Sequence, residues 1–134
     1  MPCVGAVMTD AAGRLLLIRR GHEPGRGLWS IPGGRVEAAE TDAQALVREV
    51  REETGLAVTA GRLLGTVQRP GRPGQPGFDI RDYAAEVTGG VLAAGDDADD
   101  AQWVGPARLA EMEARGELTD GLLAALRSWG ALPG

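Results

Sequence analysis

The segment from residue 40 to residue 55 constrains the fold of this chain most, because it carries the start, the buried face and the end of one helix. Thr41 can cap a helix that begins near Asp42, while the side chain of Gln44 reaches back in a capping box. Gly55 supplies the stop signal. Apolar residues at helical spacing predict the face that packs on a core: Ala43, Leu46, Val47 and Val50.

A group of acidic residues occupies another face of the same predicted helix. Glu49, Glu52 and Glu53 follow the i, i+3, i+4 spacing, so their like charges repel one another. Arg48 lies one turn before Glu52 and can pair with it, but Arg48 and Arg51 are too few to neutralise the segment. Carboxylate oxygens suit Mg²⁺ or Mn²⁺, which would offset the repulsion. The alternative is a solvated acidic helix face.

The acidic helix lies inside a longer pattern, Gly-x5-Glu-x7-Arg-Glu-U-x-Glu-Glu-x-Gly-U, in which U is apolar. All its fixed positions are filled, by Gly34, Glu40, Arg48, Glu49, Val50, Glu52, Glu53, Gly55 and Leu56. This pattern is the Nudix box, and the preceding residues 28–34 (LWSIPGG) are typical of many members. The chain therefore resembles a Nudix hydrolase, from about Val4 to Trp129.

The fold class follows in part from the order of the predicted elements. Strands and helices do not alternate regularly, so the pattern alone predicts a mixed α+β domain. The resemblance implies the Nudix fold, an α/β (α+β) architecture with a mixed β-sheet in an α/β/α sandwich. A chain of 134 residues suits one domain, residues 1–134, with the box at residues 34–56.

Weaker signals predict the remaining elements. Residues 4–8 and 14–20 are expected to form a hairpin, and residues 56–68 two short strands or one bent strand. Strands are also expected at residues 78–87 and 101–104. Pro106 suits the first position of a helix that ends near Arg115. Thr119 or Asp120 is expected to cap a last helix whose apolar face comprises Leu122, Leu123, Leu126 and Trp129.

The resemblance also implies the roles of the box residues. The catalytic set would comprise Glu49, Glu53, Arg48 and Glu52. The metal ligands would be Glu49, Glu52, Glu53 and the backbone carbonyl of Gly33, with Mg²⁺ as the cofactor and Mn²⁺ possible. A glycine at position 33 equally suits a turn. Family members differ in the general base, so both Glu49 and a carboxylate on a later loop are candidates.

A run of aspartates between residues 96 and 100 provides the candidates for that later carboxylate. Such a run is usually a solvated loop. The alternative is that Asp97, Asp99 or Asp100 faces the glutamates of the box as a further acid.

Five other residues are candidates for substrate binding. Arg19 and Arg20 close a predicted strand, and alternation directs them to opposite faces. Arg69 and Arg72 lie in a proline-rich loop, residues 69–77, that could present them at low ordering cost. Tyr83 could stack on a base. For each arginine the alternative is a solvent-facing side chain, and for Tyr83 it is a place in the core or at its rim.

Composition narrows the classes of function. The net charge of −5 argues against a nucleic acid polymer as partner, because such binding needs a basic stripe. All 14 basic residues are arginine, which excludes a Schiff-base lysine. Cys3 is the only cysteine, so no intramolecular disulfide can form. No basic leader or long apolar run is visible, and we expect a cytoplasmic protein without a membrane contact. A homodimer is expected only by analogy.

Three functions are compatible with the sequence. The first is hydrolysis of a nucleoside diphosphate linked to another moiety. Residues 87–110 look most like the ADP-ribose pyrophosphatase branch, which would give AMP and ribose 5-phosphate. The second is cleavage of a nucleoside triphosphate, including oxidised nucleotides, to a monophosphate and pyrophosphate. The third is a nucleotide-sensing module without turnover, which the intact set of box carboxylates disfavours.

Overall fold

The computed structural model describes residues 1–95 and 98–134, in which four strands precede the box helix where three were predicted. Three helices are present in this described part. They are α1 (Asp42–Thr54), α2 (Pro106–Ala114) and α3 (Leu122–Ser128). The strands are β1 (Pro2–Val7), β2 (Leu15–Arg20), β3 (Trp29–Ser30), β4 (Gly33–Arg35), β5 (Leu56–Arg69), β6 (Phe78–Gly90) and β7 (Ala98–Val104). No helix among the described residues is both long enough and apolar enough to cross a membrane.

The strands form two sheets. The larger sheet has the order β4-β1-β6-β5, in which β1 and β6 are parallel and the other pairs antiparallel. The smaller sheet is antiparallel, in the order β3-β2-β7. The larger sheet is therefore mixed, as predicted. Helix α1 packs on one side and helices α2 and α3 on the other, which confirms the α+β class and the three-layer arrangement.

The predicted hairpin between the first two strands forms only next to its turn. An antiparallel bridge, Thr9 to Leu15, and the hydrogen bonds from the N–H of Leu16 to Met8 and from the N–H of Asp10 to Arg14 join the two segments there. Beyond the turn the prediction is wrong, because β1 belongs to the larger sheet and β2 to the smaller one. The cause is that β2 is buried on both faces. Leu15 and Leu17 pack beneath α2 and α3, whereas Leu16 packs in the core beneath α1. A strand covered on both sides cannot be one arm of an isolated hairpin with a solvated face.

Helix α1 begins and ends where the sequence predicts. Thr41 and Gln44 form the capping box, and Gly55 ends the helix in the left-handed conformation, at φ 75°. The predicted apolar face is partly wrong, because Ala43 and Val47 are exposed. The buried residues are instead Ala45, Leu46, Val50, Glu53 and Thr54. The helix is thus rotated so that its C-terminal half turns one acid, Glu53, toward the protein interior.

The other predictions for single elements have mixed outcomes. β5 is one continuous strand with register shifts near Gly61 and Gly65, which confirms the bent-strand alternative. Pro106 does open α2. The predicted cap of the last helix is wrong, because Gly121, at φ 79°, precedes α3 and no side chain caps it. Leu122 and Leu126 are buried as expected.

Candidate functional site

The guanidinium of Arg48 organises the acidic residues of the box. Its Nε and Nη2 atoms donate to the two carboxylate oxygens of Glu40, at 2.8 and 2.9 Å. Its Nη1 atom donates to Glu49 at 2.7 Å, and Nη2 also donates to the carbonyl of Arg35 at 3.0 Å. The contact with the predicted partner, from Nη1 to the carboxylate of Glu52, is the longest of these, at 3.5 Å. Arg48 therefore ties the start of the box to the acidic face of α1 by a bidentate pair with Glu40.

The pairing of Arg48 has electrostatic consequences for the carboxylates around it. The hydrogen bonds from Arg48 lower the pKa of Glu40 to about 2, and the backbone N–H of Glu37 adds to that effect. The pKa of Arg48 rises for the same reason, through its bonds with Glu40 and then Glu49. Glu40 and Arg48 consequently both stay charged at neutral pH, and the guanidinium of Arg48 lies next to the carboxylates.

Glu53 is the buried member of the acidic face. Only 5% of it is exposed, and its Oε1 atom accepts a hydrogen bond of 2.7 Å from the backbone N–H of Gly33. This bond joins α1 to β4, the edge strand of the larger sheet. The N–H of Gly33 thus positions Glu53, and the predicted role of the Gly33 carbonyl as a metal ligand stays a prediction. Glu52 remains largely in solvent, with 46% of its side chain exposed.

Gly34 is required by the position of Glu49. A Cβ atom added to Gly34 would lie 2.5 Å from the carboxyl carbon of Glu49 and 2.6 and 2.7 Å from its oxygens. No side chain can share that space without displacing the carboxylate. The first glycine of the box therefore gives the Glu49 carboxylate a fixed seat against the backbone of β4.

We predict that Gly34→Ala lowers the turnover rate and weakens Mg²⁺ binding together, by about 10- to 100-fold, as when the groups that orient metal ligands are altered. The matched control is Gly89→Ala on β6, where an added Cβ would lie 4.0 Å from its nearest neighbour, the Cβ of Ala57. Steady-state rates over a Mg²⁺ titration measure both effects. Wild-type rate and Mg²⁺ dependence in Gly34→Ala would show that the seat of Glu49 is unimportant.

The box carboxylates are oxygen donors of the kind that bind a divalent cation. Among the described residues, no group of three or more acidic, histidine or cysteine side chains is already assembled as a metal cage. Mg²⁺ typically binds to one or two carboxylates and completes its coordination with waters and substrate phosphates. Glu49, Glu52 and Glu53 supply hard oxygen ligands along one side of α1, at increasing depth from Glu52 to Glu53.

The candidate substrate-binding arginines lie apart from the box carboxylates in their described contacts. Arg19 is exposed, and the Nε atom of Arg20 donates to the carbonyl of Pro24 at 2.6 Å. Arg69 donates to the carbonyl of Asp120, next to α3, whereas Arg72 is exposed in its loop. Their roles stay predictions.

Tyr83 packs in the core beneath α1, and its hydroxyl donates to Asp42 at 2.6 Å. Arg81 joins the same carboxylate through two hydrogen bonds, both of 2.6 Å. The paired Arg81 lowers the pKa of Asp42, and Tyr83 adds to that effect. These contacts anchor the first residue of α1 to β6. They favour a structural role for Tyr83, and its stacking on a base stays a prediction.

The candidates for a distal acid are only partly described. Asp97 lies outside the described residues. Asp99 is exposed on β7, whereas both carboxylate oxygens of Asp100 accept hydrogen bonds of 2.8 Å, from the N–H of Ala101 and from Gln102. The N–H of Gly95 donates to the carbonyl of Glu53 at 3.0 Å, so Gly95 lies beside the end of α1.

Asp82 on β6 was not identified from the sequence. Only 5% of it is exposed, and burial raises the pKa of its carboxyl to about 6, against the opposing charge of Arg69. The available signal was an aspartate inside a predicted strand, where this residue type is disfavoured. Buried carboxyls with raised pKa values are concentrated at functional sites.

Sequence comparisons with known proteins identify relatives of this chain. A family profile described as the NUDIX domain matches residues 1–124. An ADP-ribose pyrophosphatase of Methanocaldococcus jannaschii is 41% identical over 90 residues, covering 67% of this chain and 53% of that protein. An 8-oxo-(d)GTP phosphatase of Mycolicibacterium smegmatis is 36% identical over 83 residues, covering 62% of this chain and 25% of that protein. The chain thus spans about half or less of the length of these two relatives.

A solved structure extends the likeness to the fold. The MutT protein of Methanosarcina mazei superimposes with a TM-score of 0.80 at 22% identity, covering 97% of this chain and 92% of that one. At that level of identity, the match supports the common fold alone.

Proposed function

The chain belongs to the NUDIX domain family, and from that membership we propose that it is a metal-dependent hydrolase of phosphoanhydride bonds. Its substrate would be a nucleoside diphosphate linked to another moiety, with ADP-ribose first among the candidates. The products would then be AMP and ribose 5-phosphate.

The observation that carries the proposal is the arrangement of the box residues around α1. Glu53 is fixed by the N–H of Gly33, Glu49 is seated against Gly34, and Arg48 bonds Glu49 at 2.7 Å. Three independent contacts therefore orient two carboxylates on one helix. A solvated acidic face would need none of them, because exposed like charges take up separate positions in water.

Each residue has a part in the proposed chemistry. A bound Mg²⁺ would draw charge from the phosphoryl oxygens and lower the pKa of a coordinated water. Glu53, Glu52 and Glu49 would hold the cation, and Glu49 would also receive a proton from the attacking water. Arg48 acts through Glu40 and Glu49 and keeps the helix face aligned. Positioning and electrostatics of this kind account for most of the catalysis of phosphoryl transfer.

Two relatives support two different substrates. The M. jannaschii relative is named for ADP-ribose, which agrees with the likeness of residues 87–110 to that branch. The M. smegmatis relative is named for 8-oxo-(d)GTP and supports the second candidate, a nucleoside triphosphate cleaved to a monophosphate and pyrophosphate. Sequence identity is higher to the M. jannaschii relative than to the M. smegmatis relative, and we therefore put ADP-ribose before the triphosphate as the candidate substrate.

We predict that a substrate panel with Mg²⁺ will give the highest kcat/KM for ADP-ribose. The panel comprises ADP-ribose, other nucleotide sugars, dinucleoside polyphosphates, GTP and 8-oxo-dGTP, with products separated by ion-exchange chromatography. Formation of AMP and ribose 5-phosphate supports the first substrate. Faster release of pyrophosphate from a triphosphate would favour the second, and no turnover of any member at saturating Mg²⁺ would contradict the proposed function.

A further inference from the structure

One row of residues runs across the larger sheet almost without side chains. Gly33 on β4 is paired with Gly5 on β1, Gly5 with Asp82 on β6, and Asp82 with Gly65 on β5. Residues paired directly across strands direct their side chains to the same face of a sheet. The row is therefore a trough of glycine backbone in which Asp82 supplies the side chain.

The contacts around the glycines show what lies in this trough. A Cβ atom added to Gly5 would collide with the Oδ1 atom of Asp82 and approach the Cδ1 atom of Ile31 to 2.9 Å. A Cβ atom added to Gly65 would collide with the indole Nε1 of Trp129. The carboxyl of Asp82 thus lies over Gly5, with Ile31 on one side and the indole of Trp129 over the next strand.

The carboxyl of Asp82 has no hydrogen-bond partner within the described residues, although only 5% of the residue is exposed. At the same time, the described part of the chain contains no fully enclosed side-chain oxygen or nitrogen without a partner. The oxygens of Asp82 therefore keep a small contact with solvent. A carboxylate that is almost buried loses hydration and gains no protein bond in return, which is unfavourable for folding. A ligand donor would make up that loss.

The trough lies on the face of the larger sheet that α2 and α3 cover, because Ile31 and Trp129 pack against the core cluster on that side, and it meets the box only at the edge strand β4. At its β4 end, the N–H of Gly33 donates to Glu53 at 2.7 Å. Asp82 lies two strands away from Gly33, and neighbouring strands are spaced so that this separation is about 10 Å. A substrate whose diphosphate lies at the box glutamates could therefore extend around the β4 edge toward Asp82. Ile31 and Trp129 would provide apolar and aromatic walls for it.

We propose that Asp82 is a specificity-determining residue that accepts a hydrogen bond from the nucleoside part of the substrate, either from a ribose hydroxyl or from an amino group of the base. This inference rests on the proposed function, because it takes the diphosphate to lie at the box. A buried acceptor rejects an analogue that lacks the matching donor, since the acceptor is then left unpaired.

Calorimetric titration with AMP and two analogues tests the inference directly. One analogue is 2′,3′-dideoxy-AMP, which lacks both ribose hydroxyls, and the other is purine riboside 5′-monophosphate, which lacks the amino group of the base. We expect the wild-type protein to bind one of the analogues at least about 10-fold more weakly than AMP, the effect of a lost bond to a charged acceptor. The analogue that is bound weakly identifies the donor.

Asp82→Leu and Asp82→Asn are the test variants, with Glu86→Gln, a change to an exposed acid on the same strand, as the matched control. In Asp82→Leu the preference for AMP over that analogue should fall to about 1, and in Asp82→Asn it should be reduced. KM for the best substrate should rise with little change in kcat, because Asp82 does not touch the reacting atoms. Melting temperatures should equal or exceed that of the wild type, so that weaker binding cannot be attributed to unfolding.

The outcomes separate this inference from the proposed function. If Asp82→Leu and Asp82→Asn leave turnover and nucleotide preference unchanged, the role of Asp82 is overturned and the proposed function stands. Equal losses of affinity for AMP and for both analogues in these variants would also overturn that role. A wild-type protein that does not bind AMP and turns over no member of the substrate panel would contradict both.

Discussion

Glu53→Gln is expected to lower the turnover rate at saturating Mg²⁺ by at least about 10³-fold, while the melting temperature stays close to that of the wild type. A catalytic metal provides several kcal/mol of transition-state stabilisation, and each 1.36 kcal/mol is a factor of about ten in rate. Glutamine removes the charge that would hold the cation. It keeps a side-chain oxygen that can accept the hydrogen bond from the N–H of Gly33, now 2.7 Å from Glu53.

The control for this variant is Glu113→Gln, which changes an exposed acid on α2, on the opposite side of the sheets. Its rate and Mg²⁺ dependence should match those of the wild type. Steady-state rate measurements on both variants, with thermal unfolding in parallel, distinguish a loss of catalysis from a loss of folded protein. If Glu53→Gln turned over at the wild-type rate, Glu53 would not be a metal ligand.

Glu49→Gln is expected to lower the rate by roughly 10²- to 10⁴-fold, the usual loss when a general base is removed. The carboxylate of Glu49 is positioned by Arg48 at 2.7 Å and by the backbone of Gly34, so it requires no ordering before reaction. Both oxygens of Asp100 already accept hydrogen bonds within β7, and Asp99 is exposed. The described geometry therefore favours Glu49 as the base.

The competing acids are tested under the same conditions by Asp97→Asn, Asp99→Asn and Asp100→Asn. Each should retain most of its rate at saturating Mg²⁺ and substrate. A fall of the expected size in one aspartate variant, together with near-normal turnover in Glu49→Gln, would move the base to that aspartate. Asp97 is included because it lies outside the described residues.

The sequence predicts the box helix well because its signals are local. The capping box of Thr41 and Gln44 and the stop at Gly55 each depend on residues within one or two turns, and both are confirmed. The buried face is less well predicted, since it depends on what the helix packs against. Glu53 is buried because β4 offers it the N–H of Gly33, a contact between residues distant in the chain.

Strand pairing was the less predictable part of the fold. Two apolar segments around a turn predict a hairpin, but β1 and β2 join different sheets because β2 is covered on both faces. Asp82 was missed for a related reason. Its burial and its place in the glycine row depend on the register of β1, β5 and β6, which the sequence pattern does not determine.

The most direct test of the central claim is a metal titration of turnover. The wild-type protein is stripped with a chelator and dialysed, and the release of AMP from ADP-ribose is followed as Mg²⁺ is added, with Mn²⁺ in a parallel series. We predict no release without metal, a saturable rise with Mg²⁺, and loss of that rise in Glu53→Gln. Release that persists in the stripped protein, or a Mg²⁺ response that Glu53→Gln leaves unchanged, would contradict a catalytic metal site on α1.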